Sequence, residues 1–162
     1  MATLYDYEVS VGGAERKWAV PYARLEDTTP EVGNPALLLA DTEGLAIGGA
    51  ILVIDAGRSR AVIDFTPGKI YKWQVRNVKT YAAEAEATFN SLNIGDLVYY
   101  DDSATMPAGV YLSTSPLDNL GNANSLFGRV IGMDITDEAL YPKGGAGAST
   151  QTVGVIVRGA GA

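Results

Sequence analysis

The sequence predicts an all-β protein built from short strands, arranged as a barrel or a sandwich. Glycine makes up 19 of the 162 residues, which exceeds the average share of about 7% and follows no collagen-like period. Apolar residues recur with a period of two over short runs, and Gly, Pro, Asn and Asp separate these runs. Both features are typical of strands joined by tight turns, so we expect at most one short helix.

The N-terminal part of the chain predicts strands and an extended or loop-rich segment. Tyr5 and Tyr7 alternate with acidic residues, as in a short strand. Trp18 to Arg24 offers a second run, which Pro21 restricts to an edge strand or an extended arm. Residues 26–35 are polar and Pro-rich, which predicts a loop.

We therefore divide the chain into an N-terminal segment, residues 1–40, and a β-barrel-like domain, residues 41–162. The pattern leaves open whether the N-terminal segment packs on the main domain or extends as an arm.

Residues 45–76 predict a compact β-meander with tight turns at 56–59 and 66–68. Its three strands are expected at Ala50 to Asp55, Arg60 to Phe65 and Lys69 to Arg76. The third strand alternates cleanly. Its core face should carry Tyr71, Trp73 and Val75. Its other face, toward solvent or a partner, should carry Lys72, Gln74 and Arg76.

The rest of the chain predicts further strands. Residues 81–89 have helix propensity but also alternate Ala with Glu, so one helical turn and a strand stay equally open. A turn at Gly95-Asp96 leads into a strand. The strands expected in this half are Leu97 to Tyr100, Gly109 to Ser113, Leu126 to Met133 and Thr152 to Arg158.

Composition excludes several kinds of chemistry. The chain has no Cys and no His, so it can form neither a disulfide nor a Ser-His-Asp or Cys-His catalytic site, nor a zinc site of thiolate and imidazole ligands. The N-terminus lacks the basic and apolar regions of a secretory signal, so synthesis in a cytoplasm is expected. The longest apolar run, residues 45–54, is too short to span a bilayer, which needs roughly 20 residues.

Charge is distributed in blocks. The net charge of −7 argues against a nucleic-acid partner, which requires a basic surface. Residues 1–55 carry nine acids and three bases, residues 56–79 one acid and six bases, and residues 80–138 nine acids and one base. A basic band, residues 58–79, therefore lies between two acidic blocks.

Three motifs have residue types that occur in chemical sites. Asp101-Asp102 could bind a cation or serve in acid-base chemistry, but adjacent strand residues point to opposite faces, which favours a solvated strand end. Asp134, Asp137 and Glu138 lack the spacing of a calcium loop. The glycines at 44, 48 and 49 precede a strand, whereas a phosphate-binding loop follows one. We expect no catalytic residue, cofactor or metal.

The second half of the chain resembles the decoration, or cement, proteins of tailed-bacteriophage capsids. The resemblance lies in Gly95 to Asp101 (Gly-Asp-Leu-Val-Tyr-Tyr-Asp), Gly128 to Val130 (Gly-Arg-Val) and Val153 to Val157 (Val-Gly-Val-Ile-Val). It covers roughly the last 70 residues. It implies a non-catalytic homotrimer that binds the major capsid protein on the outer surface of the virion and stabilises the icosahedral head.

Two other functions stay open from the sequence alone: a surface-displayed carbohydrate-binding or adhesion module, and a small β enzyme. Binding to a capsid or to a carbohydrate requires an exposed surface. Candidate partner-binding residues are the aromatic residues Tyr5, Tyr7, Trp18 and Tyr22 and the basic residues Arg58, Arg60, Lys72 and Arg76.

Overall fold

The computed structural model describes residues 16–39, 46–78, 92–133 and 150–159. Every regular element in these ranges is a β-strand, apart from two 3₁₀ turns at Tyr22–Arg24 and Ala56–Arg58. The strands are β1 Lys17–Pro21, β2 Pro35–Leu38, β3 Ile47–Asp55, β4 Arg60–Asp64, β5 Ile70–Arg76, β6 Leu97–Tyr100, β7 Leu112–Ser113, β8 Ser125–Met133 and β9 Thr150–Val157. The predicted all-β class is confirmed. The predicted helix or strand at 81–89 lies outside the described residues.

Contacts divide the chain into two compact units, Met1–Lys69 with Val157–Ala162, and Ile70–Ile156. The boundary drawn from the sequence, between residues 40 and 41, falls inside the first unit. Strands β3 and β4 therefore belong with β1 and β2 rather than with the barrel.

The first unit contains a four-stranded antiparallel sheet in the order β1-β4-β3-β2. Strand β1 lies at its edge, as predicted from Pro21, which has no N–H to donate to a further strand. The expected run to Arg24 stops at Pro21 because Tyr22 opens a 3₁₀ turn, with its N–H donated to the Ser59 carbonyl at 2.9 Å.

One face of this sheet carries the core of the first unit. Alternate positions of β1, β3 and β4 point into it, as period-two strands require. The buried members are Val20, Leu25, Ala36, Ile51, Ala61, Ile63 and Phe65. Strand β3 begins at Ile47, before the predicted Ala50, and includes Gly48 and Gly49. A side chain at Gly49 would overlap the Asp64 carbonyl oxygen, so glycine allows close strand packing there.

The second unit is a closed five-stranded barrel in the order β5-β7-β6-β8-β9. Strand β5 pairs antiparallel with β9 over its whole length, from Ile70 opposite Ile156 to Arg76 opposite Thr150, and parallel with the short β7. The predicted meander is therefore correct for the β3–β4 hairpin and wrong for β5, which leaves β4 and joins the other sheet.

Alternate residues of the barrel strands fill its interior. Fully or almost fully buried are Trp73, Val75, Val98, Tyr100, Leu112, Phe127, Val130, Val153 and Val155. Trp73 packs edge-on against Phe127, with ring centroids 5.4 Å apart, and stacks on Tyr71 at 5.1 Å. The predicted inward face of β5 is confirmed at Trp73 and Val75.

The turn before β6 forms where the sequence predicts it. Gly95 has a φ of 97°, which a residue with a side chain rarely adopts. The predicted strand at 109–113 shrinks to Leu112–Ser113, because Gly109 also has positive φ and the Val110 N–H closes a turn on the Pro107 carbonyl at 3.0 Å.

Candidate partner-binding surfaces

The predicted aromatic residues are partly core. Tyr5 and Tyr7 lie outside the described residues. Trp18 is half-buried, with its ring centroid 5.0 Å from that of Phe65, and Tyr22 packs against the same core cluster. Each of these two rings therefore divides its surface between the core of the first unit and solvent.

Two of the predicted basic residues lie at the β3–β4 turn of the first unit. The Arg58 Nε is 3.9 Å from Asp55 Oδ2, with side chains 78% and 50% exposed. Pairs this exposed contribute at most about 1 kcal/mol. Arg60 begins β4 and is also exposed. Both cations are thus presented to solvent, where they can attract an acidic partner.

Lys69 has a different role within the first unit. Its Nζ lies 3.2 Å from Asp64 Oδ2, and the Asp64 side chain is 1% exposed. Asp64 Oδ1 also accepts the Thr66 N–H at 3.0 Å. The charge of Lys69 therefore balances a buried carboxylate.

The two basic residues of β5 differ in exposure. Lys72 is exposed on the outer face of the barrel, as predicted. Arg76, predicted on the same solvent or partner face, is 7% exposed. Its Nη1 donates to the Thr105 carbonyl at 2.9 Å, because the segment after β6 covers this end of the strand. The expected exposure of Arg76 is therefore wrong.

The basic band does not lie on one meander. Arg58 and Arg60 lie in the first unit, and Lys72 and Arg76 lie in the barrel. Lys79 is outside the described residues. Among the described residues, β4 and β5 do not pair. Successive hairpins therefore do not bring these cations together.

A buried carboxylate at the end of β6 organises part of the barrel. Asp101 is 1% exposed. Its Oδ1 accepts the N–H and the hydroxyl of Ser103 at 3.0 and 2.5 Å, and its Oδ2 accepts the Ser113 hydroxyl at 2.6 Å. Asp102 is exposed. The two carboxylates diverge as the strand geometry predicts, but the expected solvated strand end is wrong for Asp101.

This network has the properties of a structural element. Ser113 is fully buried and Ser103 is 6% exposed. A substrate cannot reach hydroxyls in such positions, and the chain contains no histidine to act as their base. The network joins the end of β6 to β7 and satisfies a charge that would be costly to bury alone.

The same local motif occurs three times among the described residues, and strand periodicity in the sequence does not reveal it. In Asp-x-Ser/Thr, the aspartate Oδ1 accepts both the N–H and the hydroxyl of the residue two positions later. The three instances are Asp27 with Thr29, Asp64 with Thr66, and Asp101 with Ser103. Aspartate in a loop or at a strand end, followed by a hydroxyl residue two positions later, is the signal that could have found it.

A second feature absent from the sequence analysis is the order of the loop between β7 and β8. We call residues 114–124 the Leu120 loop. Two backbone hydrogen bonds close it. The Asp118 N–H donates to the Asn122 carbonyl and the Asn124 N–H donates to the Pro116 carbonyl, both at 2.8 Å. Leu117 and Ala123 form an isolated β-bridge within it. The Leu120 loop is therefore a small hairpin.

Asp118 fixes the turn of this hairpin. Its Oδ1 accepts the N–H groups of Leu120 and Asn122, each at 2.8 Å, and its Oδ2 accepts the Asn122 side-chain amide at 3.3 Å. Desolvation raises the pKa of the Asp118 carboxyl, but the hydrogen bonds from Asn122, Leu120 and Gly121 outweigh it and lower the pKa below 3.8. Asp118 is therefore ionised at neutral pH.

The described residues hold no group of three or more His, Cys, Asp or Glu side chains that could bind a metal. The acidic group at 134, 137 and 138 lies outside them. Within the described part of the chain, no helix is long and apolar enough to cross a membrane.

Comparison of the chain with protein-family models, with curated proteins and with solved structures finds no match in any of the three.

Proposed function

We propose that this protein is a decoration protein of a tailed-bacteriophage capsid, which binds the outside of the icosahedral head as a homotrimer and stabilises it. The observation that carries the proposal is the placement of the three resembling segments. They lie on β6, β8 and β9, which are consecutive neighbours in one closed barrel. Segments far apart in the sequence thus form a single structural unit.

The structure also gives a reason for the residues of these segments. Gly128 of the Gly-Arg-Val segment lies against β9, where a side chain would overlap the Ile156 carbonyl oxygen. Val153 and Val155 of the last segment fill the barrel interior. The resembling residues therefore hold structural positions in this barrel.

The composition agrees with a binding role. A chain without His or Cys lacks the usual nucleophile and base pairs, and a protein that binds a capsid needs neither. The net charge of −7 keeps such a protein soluble before assembly.

Exposed cations give the proposal an electrostatic component. Arg58, Arg60 and Lys72 are exposed on their units. Charges of this kind contribute about 0.2 to 1 kcal/mol each, so they tune orientation and association rate while apolar burial provides the affinity. Arg76 is buried and is not part of this contribution.

The test is sedimentation of the purified protein with heads of the phage that carries its gene, prepared without this protein. We expect saturable co-sedimentation that weakens partly as salt rises, because the Debye length falls from about 10 Å at 0.1 M to about 3 Å at 1 M. Lys72→Glu should reduce occupancy and leave the urea midpoint unchanged. An unrelated protein of similar size and charge is the control, and equal pelleting of both would refute the proposal.

The trimer is tested separately by light scattering on the purified protein. A closed symmetric trimer has three times the 17.0 kDa mass of the chain. A mass of one chain, both free and on heads, would exclude the trimer.

A further inference from the structure

The Leu120 loop presents two leucine side chains to solvent. Leu120 is 80% exposed and Leu117 is 47% exposed. Asp118 is the only charged residue among residues 114–124, and its carboxylate accepts hydrogen bonds from the loop itself. The loop therefore directs apolar groups to solvent and uses its one charged side chain to fix its own turn. Single exposed apolar residues are common on protein surfaces, but this pair lies on one ordered hairpin.

The loop is also fixed in place on the barrel. The Asn119 N–H donates to the Ser103 hydroxyl at 2.9 Å, and that hydroxyl belongs to the buried Asp101 network. The Asn124 side-chain amide donates to the Ser115 carbonyl at 3.1 Å. Because these bonds hold the loop before any partner arrives, binding through it loses little conformational entropy.

The charges around the loop indicate the chemistry of its partner. Asp118 lies beside Leu120, and Asp102 is exposed next to Ser103, which contacts the loop. Two carboxylates beside an apolar tip fit an apolar pocket with a basic rim, since like charges repel and unlike charges orient the approach.

We propose that the Leu120 loop is the docking element of this protein and that it inserts Leu120 into an apolar, basic-rimmed pocket on the outer face of the capsid. This inference rests on the proposed capsid function and names the surface that makes the contact. Loss of one leucine from a fully buried position weakens binding by about tenfold to a hundredfold.

The test titrates labelled protein onto heads that lack it. Leu120→Asn should raise the dissociation constant about tenfold or more, and Leu120→Met should restore most of the affinity, since methionine keeps the apolar volume. Ile94→Asn is the matched control, because Ile94 is 67% exposed in a different turn of the same barrel. It should bind as the wild type does. Urea midpoints check that all variants remain folded.

Each outcome decides between the two proposals. If the wild type does not bind heads, the capsid function fails and this inference fails with it. If the wild type binds and Leu120→Asn binds equally well, the docking role of the loop is refuted while the capsid function stands. Equal losses in Leu120→Asn and Ile94→Asn would indicate unspecific apolar adhesion and also refute it. Co-sedimentation with phosphatidylcholine vesicles that requires Leu120 would assign the loop to a lipid surface instead.

Discussion

Gly128 is a position where the structure leaves no room for a side chain. A β-carbon there would overlap the Ile156 carbonyl oxygen, with the carbonyl carbon at 3.1 Å and Val155 Cγ1 at 3.3 Å. Backbone atoms cannot rotate away as a flexible side chain can. Gly128→Ala should therefore push β8 and β9 apart, or bend β8, at the strand pair that helps to close the barrel.

The magnitude follows from two opposing effects. Alanine in a strand is favoured over glycine by about 0.5 to 1 kcal/mol, because alanine has less backbone freedom to lose on folding. Overpacking a filled site destabilises by about 1 to 3 kcal/mol or more, and here backbone atoms must move. We expect a net loss of about 2 kcal/mol in the free energy of unfolding.

Gly132 offers a matched control on the same strand. Among the described residues, no atom other than those of the adjacent residues lies within 4 Å of a β-carbon built at Gly132, and its φ is not positive. Gly132→Ala should therefore leave stability unchanged or raise it by up to about 1 kcal/mol. Both variants are compared with the wild type by urea titration and linear extrapolation. Similar stabilities of the two variants would show that β8 and β9 are not packed as described.

Two further predictions test the barrel core and the loop. Trp73→Ala should lower the free energy of unfolding by about 3 to 5 kcal/mol, the usual range for a buried large aromatic residue. Lys72→Ala beside it should change this free energy by under about 0.5 kcal/mol. Comparable losses in a denaturant titration would contradict the strand register. The folded-state pKa of Asp118 is lowered below 3.8, so its ionised form stabilises the protein above that pH, and this contribution disappears as the pH falls through the lowered pKa. The stability difference between wild type and Asp118→Asn should therefore shrink on acidification below pH 4, and a difference independent of pH between 6 and 2 would refute this assignment.

Local patterns in the sequence predicted most of the described strands but missed β2. The turn at Gly95 and the strand Leu97–Tyr100 occur as expected, because turn chemistry and period-two alternation are decided by adjacent residues. The β3–β4 hairpin follows from the same reasoning. The proposed capsid function did not come from such patterns and rests on the resemblance.

Partners distant in the sequence could not be predicted in this way. Alternation in β5 identifies its two faces, but it cannot show that Arg76 lies opposite Thr150 rather than beside β4. The burial of Arg76 likewise depends on the Thr105 carbonyl, 29 residues away. Asp101 appeared solvated because its partner Ser113 is supplied by a different strand.

The pairing of β5 with β9 also affects how the protein is made. Ile70 must find Ile156, and contacts so distant in the sequence form slowly because a long loop must close first. During synthesis β5 to β8 emerge before β9, so a nascent chain at this stage exposes the strand edges that β9 later covers. Unpaired edges promote aggregation between chains. Ribosome-bound chains that stop before Thr150 should therefore depend more on chaperones than chains that extend past Val157.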